Sequence, residues 1–159
     1  MLKSIFPAAT LLAAAALCVS LACAAPTESP APVQAPVDPN YAAGKQAIEA
    51  KNWTVAAEAF AKAVEKEPNN ANAHNFLAYS YRKSGNLDAA FRHYNEALRL
   101  DPKHRGAHEY IGEAYLMTGD LAKAEEHLKV LDRLCTFGCE EYSDLKQAVA
   151  EYKRKAGPK

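Results

Sequence analysis

Small and apolar residues return along this chain at a fixed interval of 34 residues. Laying residues 39–68 above 70–102 and 104–136 pairs Trp53 with Leu87 and Leu121, Ala56 with Ala90 and Ala124, and Phe60 with Tyr94 and Leu128. The same register brings together Gly44, Ala78 and Gly112, then Ala47, Tyr81 and Tyr115, then Ala63, Ala97 and Leu131. Gly85-Asn86 and Gly119-Asp120 stand in the middle of their units, where a left-handed Gly ends a helix without steric cost. Pro68 and Pro102 close the units, because proline has no amide hydrogen with which to continue a helix. Each unit is therefore predicted to be two helices joined by a tight turn. In the first unit Lys51-Asn52 replaces the Gly pair, and Asn52 is expected to take the left-handed conformation. Gly44, Ala78 and Gly112 on the first helices and Ala56, Ala90 and Ala124 on the second leave no bulk between the axes, so the two helices of a pair can interlock closely. A Leu at any of these six places would wedge the pair open.

The third unit departs from the pattern at its end. Leu131 replaces a small Ala, and Cys135-Thr136 stands where Glu67-Pro68 and Asp101-Pro102 stood. Beyond it, Tyr142, Leu145, Val149 and Tyr152 fall on one face of a final helix, with Lys153, Arg154 and Lys155 placed to complement the dipole at its C-terminus. A stack of helix pairs leaves an apolar face open at its end, and a helix polar on one side closes it. Residues 137–159 are read as this capping helix and a short tail.

These columns resemble the tetratricopeptide repeat, a 34-residue antiparallel helix pair, over about 100 residues of the chain. The resemblance implies an all-α fold: three repeats (39–68, 70–102 and 104–136) wound into a right-handed α-α superhelix and closed by the cap. It also implies function, since in this family the first helices line a concave face that holds a peptide or protein. The matching outward columns are Tyr41, Lys45 and Ile48, then Asn75, Tyr79 and Arg82, then Glu109, Glu113 and Leu116. Tyr41, Lys45, Asn75, Tyr79, Arg82, Glu109 and Glu113 are taken as the partner-binding groove, because Tyr and Arg combine contact area with directional hydrogen bonds. Lys45 and Arg82 toward one end and Glu109 and Glu113 toward the other are expected to orient a bound segment by its charge. Charge reversal at Arg82 is accordingly expected to weaken capture and leave unfolding unchanged. The subfamily that grips chaperone C-terminal carboxylates is not matched, since Gly106 and Tyr110 stand where its clamp needs cations.

Ahead of the repeats, Lys3, an apolar run from Leu11 to Leu17 and Ala22-Cys23-Ala24 form a positive start, a short hydrophobic core and a small-x-small cleavage site. Residues 1–24 read as a signal peptide, which predicts a periplasmic or secreted bacterial protein. The alternative is a lipoprotein anchored through Cys23, although Ser20 stands where a lipobox carries Leu. Residues 25–38 are a Pro-rich linker of semi-rigid, extended character. Contact with a membrane is expected only if Cys23 is lipidated or the signal stays uncleaved.

Export makes a disulfide the default for the even pair Cys135 and Cys139. Closing so short a loop contributes about 2 kcal/mol by its loss of unfolded-state entropy. A thiol redox or copper-handling accessory using the same two cysteines is the rival reading, but no third soft ligand lies nearby in sequence. Glu140 occupies the place a covalent haem site needs for His.

Lys plus Arg and Asp plus Glu total 19 each, so the chain carries no positive field for a phosphate backbone and nucleic-acid binding is not expected. His104 and His108 are four apart, a chelating spacing on one helix face, yet the register puts His104 in the loop between repeats and His108 in a first-helix column with His74. Glu109 does not complete a zinc H-E-x-x-H motif, and neither a nucleophile elbow, a P-loop nor a dinucleotide fingerprint is present. The chain is read as a non-enzymatic protein-interaction module without cofactor or metal.

Overall fold

Six of the seven described helices begin where a side chain takes over unpaired amides of the first turn; α7 (Glu140–Ala156), which follows Cys139, has no such cap. In the computed structural model, which describes residues 38–157, Asn52, Asn70, Asn86 and Asp120 accept the amide of the third residue after them, opening α2 (Trp53–Lys66), α3 (Ala71–Lys83), α4 (Leu87–Leu100) and α6 (Leu121–Leu134). Asp38 does the same for α1 (Pro39–Glu49), and for α5 (Arg105–Met117) the acceptor is His104 Nδ1, 3.1 Å from the Ala107 amide. Residues 1–37, with the expected signal peptide, most of the linker, Cys18 and Cys23, lie outside the described residues, as do 158 and 159.

The turn inside each pair is one motif used three times. Asn52 N–H donates to Ala47 O at 2.8 Å, Asn86 to Tyr81 O at 2.8 Å, and Asp120 to Tyr115 O at 2.9 Å, the long bond that closes a helix end when the residue before it is left-handed. That residue is Gly85 (φ 88°), Gly119 (φ 84°) and, in the first pair, Lys51 (φ 56°). The expectation for Asn52 is thus corrected by one position. Asn52 must stay at φ −90° to cap α2, so the strain falls on the lysine before it.

Pairs α1–α2, α3–α4 and α5–α6 stack in order, and each first helix also touches the first helix of the next pair. Ala56, Ala90 and Ala124 are fully buried, so the second helices do seat against their neighbours through a methyl-sized contact. Three apolar clusters run down the stack. Phe60 and Leu77 centre the first, Tyr94 and Ile111 the second, Leu131, Leu145 and Val149 the third. Gly44 serves its own pair, for a Cβ there would stand 2.7 Å from the Phe60 ring. Gly112 clears space for a different neighbour: its Cβ would meet Leu145 of α7 (Glu140–Ala156) at 2.6 Å.

Leu145 lies 34 residues after Ile111, which lies 34 after Leu77. The capping helix therefore keeps the register of the first helix of a fourth unit. Leu131 is fully buried in one cluster with Leu145 and Val149 of that helix. Lys153 with Glu125 (2.5 Å) and Arg105 with Glu141 (3.5 Å) tie α7 to α6 and α5. Among the described residues no helix is long and apolar enough to cross a membrane.

Candidate functional site

The first helices bring side chains from the same column of successive units onto one face, and two clefts open there. The larger, about 450 Å³, lies between α3, α5 and α7 and is bordered by Tyr79, Arg82, Lys83, Glu109, Tyr110 and Glu113. The smaller, about 300 Å³, is bordered by Asn75, Phe76, Glu109, Tyr110, Glu140, Glu141 and Asp144. Glu109 and Tyr110 stand on the ridge between them. Five of the seven expected groove residues, Asn75, Tyr79, Arg82, Glu109 and Glu113, therefore border this pair of clefts. Tyr41 and Lys45 sit further along the stack and are engaged with neighbours. Tyr41 packs edge-on against Phe60 and Phe76, and the Lys45 ammonium lies 4.2 Å from the Phe76 ring centre.

Arg82 is not an exposed steering charge. It is 8% exposed, its Nη2 pairs with Glu113 at 2.6 Å, its Nε donates to Tyr94 Oη at 3.3 Å, and its guanidinium lies between the Tyr79 and Tyr110 rings. Burial pushes the Tyr94 hydroxyl well above the ordinary tyrosine range, so it remains a neutral acceptor for Arg82. The guanidinium links α3, α4 and α5. Reversing its charge would leave Glu113 unpaired and a second carboxylate buried, so the expectation that such a change spares stability is corrected. The opposition of Lys45 and Arg82 to Glu109 and Glu113 is altered as well, since Arg82 and Glu113 neutralise each other. What charge asymmetry remains comes from Lys45 and the exposed Lys83 on one side and the carboxylates of α7 on the other.

Glu109 is 7% exposed, and among the described residues its carboxyl has no hydrogen bond or ion pair. Burial first, then the charges of Glu113, Asp144 and Glu141, push it up to about 8, with Arg82 pulling weakly the other way. It therefore holds its proton more tightly than an ordinary carboxyl. Burial, with help from Glu109, also raises the Tyr110 hydroxyl to about 12. Asn75 is 2% exposed, and its Oδ1 has no hydrogen-bond partner.

The contribution of α7 to this face, through Glu140, Glu141 and Asp144, was not anticipated. A signal existed: adding 34 to Tyr110 gives Asp144, and adding 34 to Gly106 gives Glu140. The histidines also differ from a metal arrangement. His104 Nε2 meets Asn72 Oδ1 at 3.1 Å, whereas His108 Nδ1 faces His127 Nδ1 at 2.8 Å, a pairing repeated 34 residues earlier by His74 and His93 at 3.1 Å. His74 and His108 each donate Nε2–H to a proline carbonyl, Pro68 or Pro102, so the bare Nδ1 accepts from the partner ring. Among the described residues no group of three or more His, Cys, Asp or Glu is arranged to hold a metal ion. Cys135 ends α6 and Cys139 opens α7, with Cα atoms 5.6 Å apart, a separation that a disulfide spans.

A tetratricopeptide repeat model matches residues 41–105 and 77–138. No curated protein is significantly similar to the chain. Solved structures show the same fold. The TPR2B domain of yeast Sti1, in a complex with pHsp70, superposes with a TM-score of 0.67 at 19% identity, covering 73% of this chain and 94% of that one. The Yersinia enterocolitica type III secretion chaperone SycD, in complex with a peptide of the translocator YopD, gives 0.63 at 19% identity over 73% of this chain and 88% of its own. The Sgt2 TPR domain of Aspergillus fumigatus gives 0.65 at 23% identity, covering 74% and 76%.

Proposed function

The chain belongs to the tetratricopeptide repeat family, and from that premise we propose that it is a non-catalytic binding protein of the bacterial cell envelope, holding a peptide or protein segment along its first-helix face. The observation that carries this reading is the pair of adjoining clefts on that face, bordered by Tyr79, Tyr110 and Phe76 together with polar and charged groups. Aromatic rings fixed by their neighbours supply contact area at little entropic cost, and polar groups beside them supply direction. Two of the solved neighbours are complexes, one with pHsp70 and one with a YopD peptide, which supports a segment-binding role for the same architecture.

The envelope location rests on the export signal read at residues 1–24, and the bridge between Cys135 and Cys139 is proposed to go with it, pinning α7 to the stack. The mass of the mature protein tests both. An N-terminus at Ala25 and a mass lower by two hydrogens fit the proposal, an acylated Cys23 redirects it to a lipoprotein, and a chain retaining Met1 in the cytoplasm overturns it. Binding itself is tested by crosslinking in the native host. Tyr79→Ala combined with Asp144→Lys should abolish the crosslinked species while Lys129→Glu, on α6, leaves it intact; equal loss in both would place the contact elsewhere.

A further inference from the structure

The two clefts differ in what they lack. The larger already contains a cation, since Arg82 enters it bound to Glu113. The smaller is bordered by the carboxyls of Glu109, Glu140, Glu141 and Asp144, by the Phe76 and Tyr110 rings and by the Asn75 amide, with no Lys or Arg among its lining. His104 does not supply the charge. Its two nitrogens are occupied by the Ala107 amide and Asn72, and burial holds it below the ordinary histidine range. Arg105, half exposed, pairs with Glu141 at 3.5 Å but is not among the residues that line the cleft.

One buried acceptor in this cleft remains unanswered. Asn75 Oδ1 has no partner, an arrangement that native proteins seldom leave in place because the lost hydrogen bond to water is not replaced. Glu109 is nearly as buried and has only like charges close by, apart from Arg82, whose bonds go to Glu113 and Tyr94. Acceptors, carboxylates and aromatic faces are together the complement of a group that only donates. The guanidinium of arginine fits this description better than any other side chain, with five N–H donors in a plane that also stacks on aromatic rings.

Resting on the reading that a partner segment lies along this face, we infer that the cleft framed by Asn75, Glu109, Tyr110 and Asp144 receives a basic side chain of that segment, arginine in preference to lysine. Seating it places a positive charge against Glu109. The groups that face this carboxyl are Glu113 on its own helix, Glu141 and Asp144 on α7 and Arg82 on α3; burial first, and then the first three, raise it, and Arg82 opposes them. An arriving guanidinium joins Arg82, so Glu109 gives up its proton as the segment binds.

The test uses a phage-displayed library of random 12-residue peptides selected on the full chain, because it does not require the natural partner to be known. Enriched peptides are expected to share an Arg at one position. Replacing that Arg by citrulline, which keeps the shape and removes the charge, should weaken binding by about tenfold or more, and Asp144→Asn, an exposed change, by about threefold. Calorimetry at pH 7 in phosphate and in Tris should give different heats, showing release of a proton, and Glu109→Gln should abolish the difference. Enriched peptides that are acidic or purely apolar, or a citrulline peptide that binds equally well, overturn the arginine assignment and leave segment binding on this face standing. A library that yields no binder at all overturns both.

Discussion

Replacing Glu109 by Gln removes a titrating group and keeps its shape, which makes the site's electrostatics measurable in the absence of any partner. The folded protein holds this carboxyl at about 8 against an ordinary 4.5, so the unfolded chain releases the proton first. A raised carboxyl favours folding at low pH, and that contribution disappears as pH rises from 4.5 toward 8. At pH 4 wild type and Glu109→Gln should therefore be equally stable. At pH 7.5 the full shift would make the variant more stable by about 4 kcal/mol; because the carboxyl borders two water-filled clefts, about half of this, ~2 kcal/mol, is the expected difference. Urea unfolding followed by far-ultraviolet circular dichroism from pH 4 to 8 reads this directly, and titration of the histidines cancels in the difference between the two proteins. Parallel pH profiles, or a variant weaker at pH 7.5, would mean that Glu109 is ionised and paired in the folded state, and the reasoning would be refuted.

Three further outcomes follow from the geometry. Arg82→Glu should destabilise by about 3 kcal/mol or more, because it breaks a buried pair and sets a second carboxylate against Glu113; thermal unfolding checks it, and an unchanged midpoint would show the guanidinium to be solvated. Lys51→Gly should stabilise by about 1 kcal/mol by relieving a left-handed lysine, whereas Asn52→Gly should destabilise by a few tenths by weakening the α2 cap, and chemical denaturation separates the two. His127 is held down to about 4 by burial, then by its neighbour His108, so the stability it supports is complete above pH 6.5 and lost as pH falls through 4; His127→Phe should flatten that part of the profile, and an unaltered acid limb would contradict the neutral His108–His127 pair.

The repeat architecture was legible because it rests on side-chain volume at fixed intervals. A small residue at 56, 90 and 124 has few uses other than close approach, and all three are fully buried. The first-helix face was legible for the same reason, since a column of the period can be read forward by addition. Legibility ended where a side chain's fate depends on the angle between helices. Arg82 stands in an outward column, yet its length lets it turn back to Glu113 and Tyr94, which only the placement of α4 and α5 decides. The paired histidines needed two columns, 74 with 108 and 93 with 127, to be recognised as facing each other. Lys51 shows a third cause, for the turn's hydrogen bonds and not the residue's preference determine which position becomes left-handed. The cap was read as an end piece because Leu131 and the two cysteines interrupt the third unit, and this concealed that α7 continues the period and adds its acidic residues to the face.

The most direct measurement is a footprint. Amide chemical shifts of the uniformly nitrogen-15-labelled protein, followed during titration with the tightest selected 12-residue peptide, will report which helices carry the contact. The account predicts shifts concentrated at residues 75–83 of α3, 106–117 of α5 and 140–148 of α7, with α2, α4 and the outer side of α6 unmoved. Shifts centred on those second helices, with Glu109, Tyr110 and Asp144 undisturbed, would contradict it.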